Sequence, residues 1–371
     1  MEPGLIPHLD PNPLPAPYWV FKLLLLVTFF LHIIAMNFML GGAVLAVLSR
    51  LKMFRHEYSD RLFRDVAKKL PVFLPATITL GIAPLLFVQV IYGQFFYTSS
   101  ILVAWPWFLV LVFLTVAYYG FYYVSFQVSG APGKGSTVLL ASLLLVFTIG
   151  FIYSNNFTLF LTPATWHAKY FADPSGWNLN LAEPTLIPRF LHFFTAAVAV
   201  GGLMIVFIAL ARLKKDEAYA KFLFQFGGHA FLYATMAQFI VGVWFLVSLP
   251  KDVLLLFLGG SKLATGLLLV GIGGGLSAIF RMSGALHKDD IRGGAYSVSA
   301  VIGVVIACMA VMRDLVRDAY LKPYFHPEQF VVKTQWSVFP LFLVLFLAGV
   351  ILWLYMLKRY GLFGQPGDPR C

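Results

Sequence analysis

Apolar runs of about twenty residues, almost free of charge, follow one another along the whole chain, and a run of that length is what a helix needs to cross roughly 30 Å of hydrocarbon. They fall at about 17–49, 70–98, 101–128, 136–161, 186–211, 223–249, 253–280, 293–313 and 335–357. No stretch between them is long enough to fold as a separate soluble domain. Composition agrees: 60% of the residues are hydrophobic and 12% charged, where a soluble domain carries about a quarter charged. Backbone groups in lipid must be bonded within the segment, so the pattern predicts an all-α membrane protein of about nine transmembrane helices.

The formal net charge of +11 follows this topology. Basic residues gather in alternate connections, around Arg50 to Lys69, Lys134, Arg212 to Lys221, Arg281 to Arg292 and Lys358 to Arg370. The positive-inside rule assigns these to the cytoplasm, which puts the N-terminus outside and the C-terminus inside. The basicity is therefore read as topology and contact with the lipid bilayer, with no nucleic-acid partner, and a multi-pass protein of the inner (cytoplasmic) membrane is expected. The opening segment has no Lys or Arg before Lys22, unlike a signal peptide, so the first span is expected to be retained. Cys308 and Cys371 provide neither a disulfide framework nor a CxxCH site for covalent haem.

Ionisable groups at membrane depth are costly and mark functional sites. On these boundaries every Asp and Glu falls in a connection or a tail, which argues against an ion-coupled carrier or cation channel. The spans do carry His32, His192, His229 and Lys262, with Arg189 at the outer edge of the fifth. His32 shares a helical face with Met36 and Met39 and precedes Gly41 and Gly42, which permit close approach of a helix or a flat ligand. Beside His192, Thr195, Ala196 and Ala199 form a nearly bare strip with room for a porphyrin, and Arg189 one turn earlier is placed to pair with a propionate. For both histidines the competing reading is a packing residue. Gln225, His229 and Tyr233 recur every fourth residue, as a ligand site or as a hydrogen-bonded seam. Lys262 pairs with an anion or snorkels outward. His8, His56, His167, His287 and His326 lie in tails or connections. The external segments 162–186 and 314–334 hold aromatics, Trp166, Trp177, Tyr320, Tyr324 and Phe325, that serve as an interfacial belt or a docking surface. Single histidines on separate helices with small neighbours fit haem b better than zinc, which wants clustered ligands.

At these residues the chain resembles subunit I of the cytochrome bd quinol oxidases, a family of nine spans with the N-terminus outside. LHIIAMNFMLGGAVLAVLSR, with His32, resembles the family's first span and its haem-ligating His; TITLGIAPLLFVQVIYGQFFY resembles the second. EPTLIPRFLHFFTAAVAVGGLMIVFIALARLKK resembles the fifth span, whose His ligates the low-spin haem b, and this implies that role for His192. The likeness covers about 17–215, so the chain divides into an external tail 1–16, a bd-like region 17–215, further helices 216–357 and a cytoplasmic tail 358–371. It also departs from the family. The third span lacks glutamates, the external connection between the sixth and seventh spans shrinks to about Leu249–Asp252, and the Gly-Arg-Gln-Pro-Trp signature and the methionine of the seventh span are missing.

The expected function is a haem b-binding subunit of a respiratory electron-transfer complex, carrying one or more haems, with other haem types open. His32, His192 and His229 are the candidate iron ligands, Met36 and Met236 further axial candidates, and Arg189 and Lys262 the propionate partners. The implied partners are other membrane subunits, among them a second bd-like subunit, and a periplasmic cytochrome c-type protein or quinone. The alternatives are a divergent terminal oxidase or reductase of a small oxidant, with five-coordinate haem at His32, and a cofactor-free transporter or scaffold.

Overall fold

The computed structural model describes Pro7, residues 12–130 and residues 135–356. Most of residues 1–16, expected as the external tail, all of 358–371, expected as the cytoplasmic tail, and Lys134 lie outside the described residues. The helices are α1 (Tyr18–Leu48), α2 (Ser59–Ala67), α3 (Leu70–Leu102), α4 (Ala104–Gly130), α5 (Ser136–Phe160), α6 (Trp166–Ala172), α7 (Leu186–Arg212), α8 (Glu217–Ser248), α9 (Lys251–Leu255), α10 (Lys262–His287), α11 (Ile291–Leu321) and α12 (Val338–Met356). Among the described residues nine of these are long and apolar enough to span a bilayer: all except α2, α6 and α9. The chain is a multi-pass, all-α membrane protein.

α7 is the most enclosed span, with 61% of its most apolar window buried against 33% or less for the others. Its small residues explain this. A Cβ on Gly41 would lie 1.8 Å from the Ala197 carbonyl oxygen, and one on Gly201 would lie 2.4 Å from the Gly41 carbonyl carbon. On the other side, a Cβ on Gly202 would lie 2.5 Å from the Gly227 carbonyl oxygen. Adjacent glycines, about 100° apart around the helix, thus admit α1 and α8 at backbone distance, the way lipid-embedded helices gain dispersion contacts. The glycines after His32 serve this helix contact. α12 lies at the other extreme, with none of its residues buried.

Several boundaries differ from those read in the sequence. The eighth span, expected to end at 313 before a charged run, continues as α11 to Leu321. The charges are neutralised in place: Lys22 Nζ of α1 lies 2.6 Å from Asp314 and 2.8 Å from Asp318. Arg317 pairs with Asp314 and lies 4.6 Å from the Tyr92 ring, while Tyr92 donates to Asp318 at 3.0 Å. The expectation that every Asp and Glu sits outside the spans therefore fails for Asp314 and Asp318, and Asp314 is buried. The seventh span starts at Lys262 rather than near 253, because α9 and a wide turn over Leu256–Gly260 intervene, with Gly259 at φ +111°. The sixth starts at Glu217, where the Asp216 side chain accepts from the Tyr219 N–H at 3.1 Å and caps the helix. Trp166, one of the external aromatics, is buried and donates to the Leu159 carbonyl at 2.9 Å.

Candidate cofactor site

A cavity of about 290 Å³ lies between α1, α7, α8, α10 and α11. Its walls are mostly aliphatic and aromatic, and its polar members are Asn37, Arg189, His192, Thr235, Gln238 and Arg313. α7 supplies Arg189 and His192 from successive turns, so both point into the same space. The floor beside them is made by Ala196 and Ala199, with Gly271 and Gly275 contributed by α10. Thr195, the third member of the small strip, is hydrogen-bonded to Gln238 of α8 and to the Leu191 carbonyl.

Three of the polar residues facing this cavity have buried atoms that lack protein partners. His192 Nδ1 is buried with no hydrogen bond, as are Arg189 Nε and Nη2 and Asn37 Oδ1. The Phe245 ring lies 6.0 Å from the His192 ring and 5.1 Å from the Arg189 guanidinium. Gly242 of α8 stands against the imidazole, where a Cβ would come within 3.2 Å of Cε1. Buried polar groups without a bond cost free energy, so the imidazole and guanidinium left open on one apolar cavity make it the candidate site.

His32 is built differently. Its Nδ1 lies 3.0 Å from the Thr77 carbonyl of α3, and a Cβ on Gly81, one turn along, would come within 2.8 Å of its Cε1. With Nδ1–H donating to that carbonyl, Nε2 keeps its lone pair, the arrangement in which a ring nitrogen accepts a metal or a hydrogen bond. His32 is half-buried and lies outside the cavity lining.

Among solved structures, a chain described as the bd oxidase from Geobacillus thermodenitrificans superposes with a TM-score of 0.68 at 12% sequence identity, covering 94% of this chain and 100% of that one. The fold is that of a bd oxidase chain. No family model and no curated protein matches the sequence. The likeness establishes the bd-type architecture, and on this bd-type frame His32 and His192 occupy the first and fifth spans.

The bd-type bundle separates the remaining sequence candidates. His229 is exposed on α8, its Nδ1 2.7 Å from the Gln225 carbonyl one turn back and its ring stacked on Tyr233 with centroids 6.1 Å apart. Gln225 reaches away to α10, donating to Asp289 at 2.8 Å. Lys262 is exposed at the first turn of α10, after the capping residue Ser261. Met36 is half-buried and packs on the central core. None of these three, nor Met236, lines the cavity. Among the described residues no three His, Cys, Asp or Glu side chains converge on one point.

Sequence reasoning missed Asn37, Gln238, Met309 and Arg313, which all line the cavity. Arg313 had a signal, as the first charge after an apolar run, but it read as the end of a span. In the bundle its guanidinium lies 4.4 Å from the Phe29 ring and 5.2 Å from the Phe157 ring.

Proposed function

We propose that the chain is a haem b-binding membrane subunit of a respiratory electron-transfer complex. The observation that carries this reading is the cavity in which His192 and Arg189 present buried, unbonded nitrogens side by side between apolar walls. The residues fit a flat, apolar, anionic macrocycle: an imidazole for the metal, a guanidinium for a carboxylate, and the small Ala196 and Ala199 beside them to leave room for the plate. A haem bound there supplies one-electron transfer. The protein's own part is to exclude water, hold the ring nitrogen toward the iron and set the local field through the nearby cations.

A second site at His32 belongs to the same reading. The bond from Nδ1 to Thr77 fixes the ring and leaves the other nitrogen open, which suits either an electron-transfer haem or a five-coordinate haem that meets a small oxidant. The distribution of basic connections places the N-terminus outside, so an outward cytochrome c-type donor or quinone and a companion membrane subunit are the partners proposed. The setting is the cytoplasmic membrane.

Detergent-purified protein from haem-replete cells is expected to be red, with a pyridine haemochrome of the haem b type. His192→Ala removes part of that absorbance and His32→Ala another part. Carbon monoxide added to the reduced protein shifts the Soret band only if a haem is five-coordinate, which separates the oxidase reading from pure electron transfer. A stably folded, colourless preparation overturns the proposal.

A further inference from the structure

The buried charges around the cavity do not cancel. Lys22 and Arg317 are matched by Asp314 and Asp318 in one ion-pair network. Arg189 and Arg313 are left over. Among the described residues neither forms an ion pair, and both line the same cavity, each beside an aromatic ring. Arg313 feels the charges of Arg189 and Arg317. The carboxylate whose field reaches Arg189 is that of Glu183, which instead accepts from Thr185 at 2.8 Å. Two guanidiniums lining one apolar space with no ion-pair partner repel each other, and the buried Arg189 lacks the hydration it would have in water. Aromatic faces offset only part of that cost. A ligand carrying two negative charges removes it.

We propose that Arg189 and Arg313 form a two-armed clamp, from α7 and α11, for the two carboxylates of a single dianionic, otherwise apolar ligand. This rests on the cofactor reading above, under which the carboxylates are the two propionates of one haem. The clamp would hold the ligand's carboxylates from α7 and α11, and Arg313 adjoins Asp314 of the Lys22 network in the continuation of α11. Arg313 is a binding residue that no feature of the sequence pattern assigns.

The test uses the full-length chain produced in haem-deficient cells and titrated in detergent with haemin and with haemin dimethyl ester, which keeps iron and ring but masks both carboxylates. Wild-type protein is expected to bind the diacid at least about ten-fold more tightly than the ester, the scale of a charge-assisted bond. Arg189→Gln and Arg313→Gln each weaken the diacid about ten-fold and leave ester binding unchanged. The exposed Arg281→Gln alters neither. A variant that merely loosens the bundle weakens both ligands alike, and that result for Arg313→Gln overturns the clamp. Should a variant fail to fold, the wild-type comparison decides by itself: equal affinity for diacid and ester overturns the clamp while leaving the haem reading intact. A wild-type protein that binds neither ligand overturns both readings.

Discussion

Lys22 of α1 and Asp314 of α11 meet at 2.6 Å inside the bundle, with side chains 14% and 9% exposed. The pair joins the first span to the eighth, and with Asp318, Arg317, Tyr18 and Tyr92 it forms a network that satisfies charges on α1 and α11, with a tyrosine hydroxyl supplied by α3. Removing Lys22 leaves two carboxylates, Asp314 and Asp318, with Arg317 as the one remaining cation of the network. Lys22→Met is therefore expected to destabilise the protein by about 3 kcal/mol, lowering its thermal midpoint in detergent. Lys22→Met combined with Asp314→Leu should recover part of the loss, since it removes one charge of each sign and leaves one cation, Arg317, and one anion, Asp318, in the network. A single variant as stable as wild type would show that the network contributes nothing.

The contacts of α7 with α1 and α8 leave no volume for side chains. Gly41→Val and Gly201→Val drive methyl groups into facing backbone, at positions where even a Cβ would meet carbonyl atoms at 1.8 and 2.4 Å. The cost exceeds the ~3 kcal/mol of ordinary core overpacking, so neither variant should yield a monodisperse peak on size-exclusion chromatography. Gly303→Ala, with nothing within 4 Å of the added carbon, should behave as wild type.

Gly81→Val tests the His32 site without touching the histidine. The added Cβ would lie 2.8 Å from His32 Cε1, so the ring must swing and its 3.0 Å contact with the Thr77 carbonyl is lost. Absorbance lost in Gly81→Val should match that lost in His32→Ala, and absorbance assigned to His192 should persist in both.

Acid stability has an identifiable contributor outside the spans. A hydrogen bond from Arg61, followed by one from the Tyr219 N–H, holds the Asp216 carboxyl below the usual carboxylate range. A depressed folded value means the contribution is fully present above the unfolded value of about 4 and is lost as pH falls through the lower, folded one. Asp216→Asn keeps a helix cap but removes the titration. The fall of the thermal midpoint below about pH 4 should be shallower in this variant than in wild type.

Much of the architecture was legible in one dimension. Uninterrupted apolar length fixes how many times the chain crosses, because each crossing must bond its own backbone. The paired Gly41 and Gly42 marked a place of close approach, of a helix or of a flat ligand, and the bundle puts α7 there. His32 and His192 stood out for a related reason, since an imidazole in an apolar run needs an account. The facing of each helix was not legible. These spans are apolar nearly all round, so no stripe tells lipid from protein, and only the bundle shows that His192 borders a cavity while His229 looks outward.

The end of α11 marks the same division most sharply. Arg313, Asp314, Arg317 and Asp318 look in sequence like the edge of a membrane span, and taken alone each would be too costly to bury. Their true setting depends on Lys22 and Tyr92, which are distant in the chain and close only after folding. The sequence by itself determined how many helices cross and where backbones can meet, since both follow from local hydrophobicity and side-chain size. The tertiary structure alone decided which charges are matched in ion pairs and which, Arg189 and Arg313, are not, because electrostatic compensation is a property of distances in space.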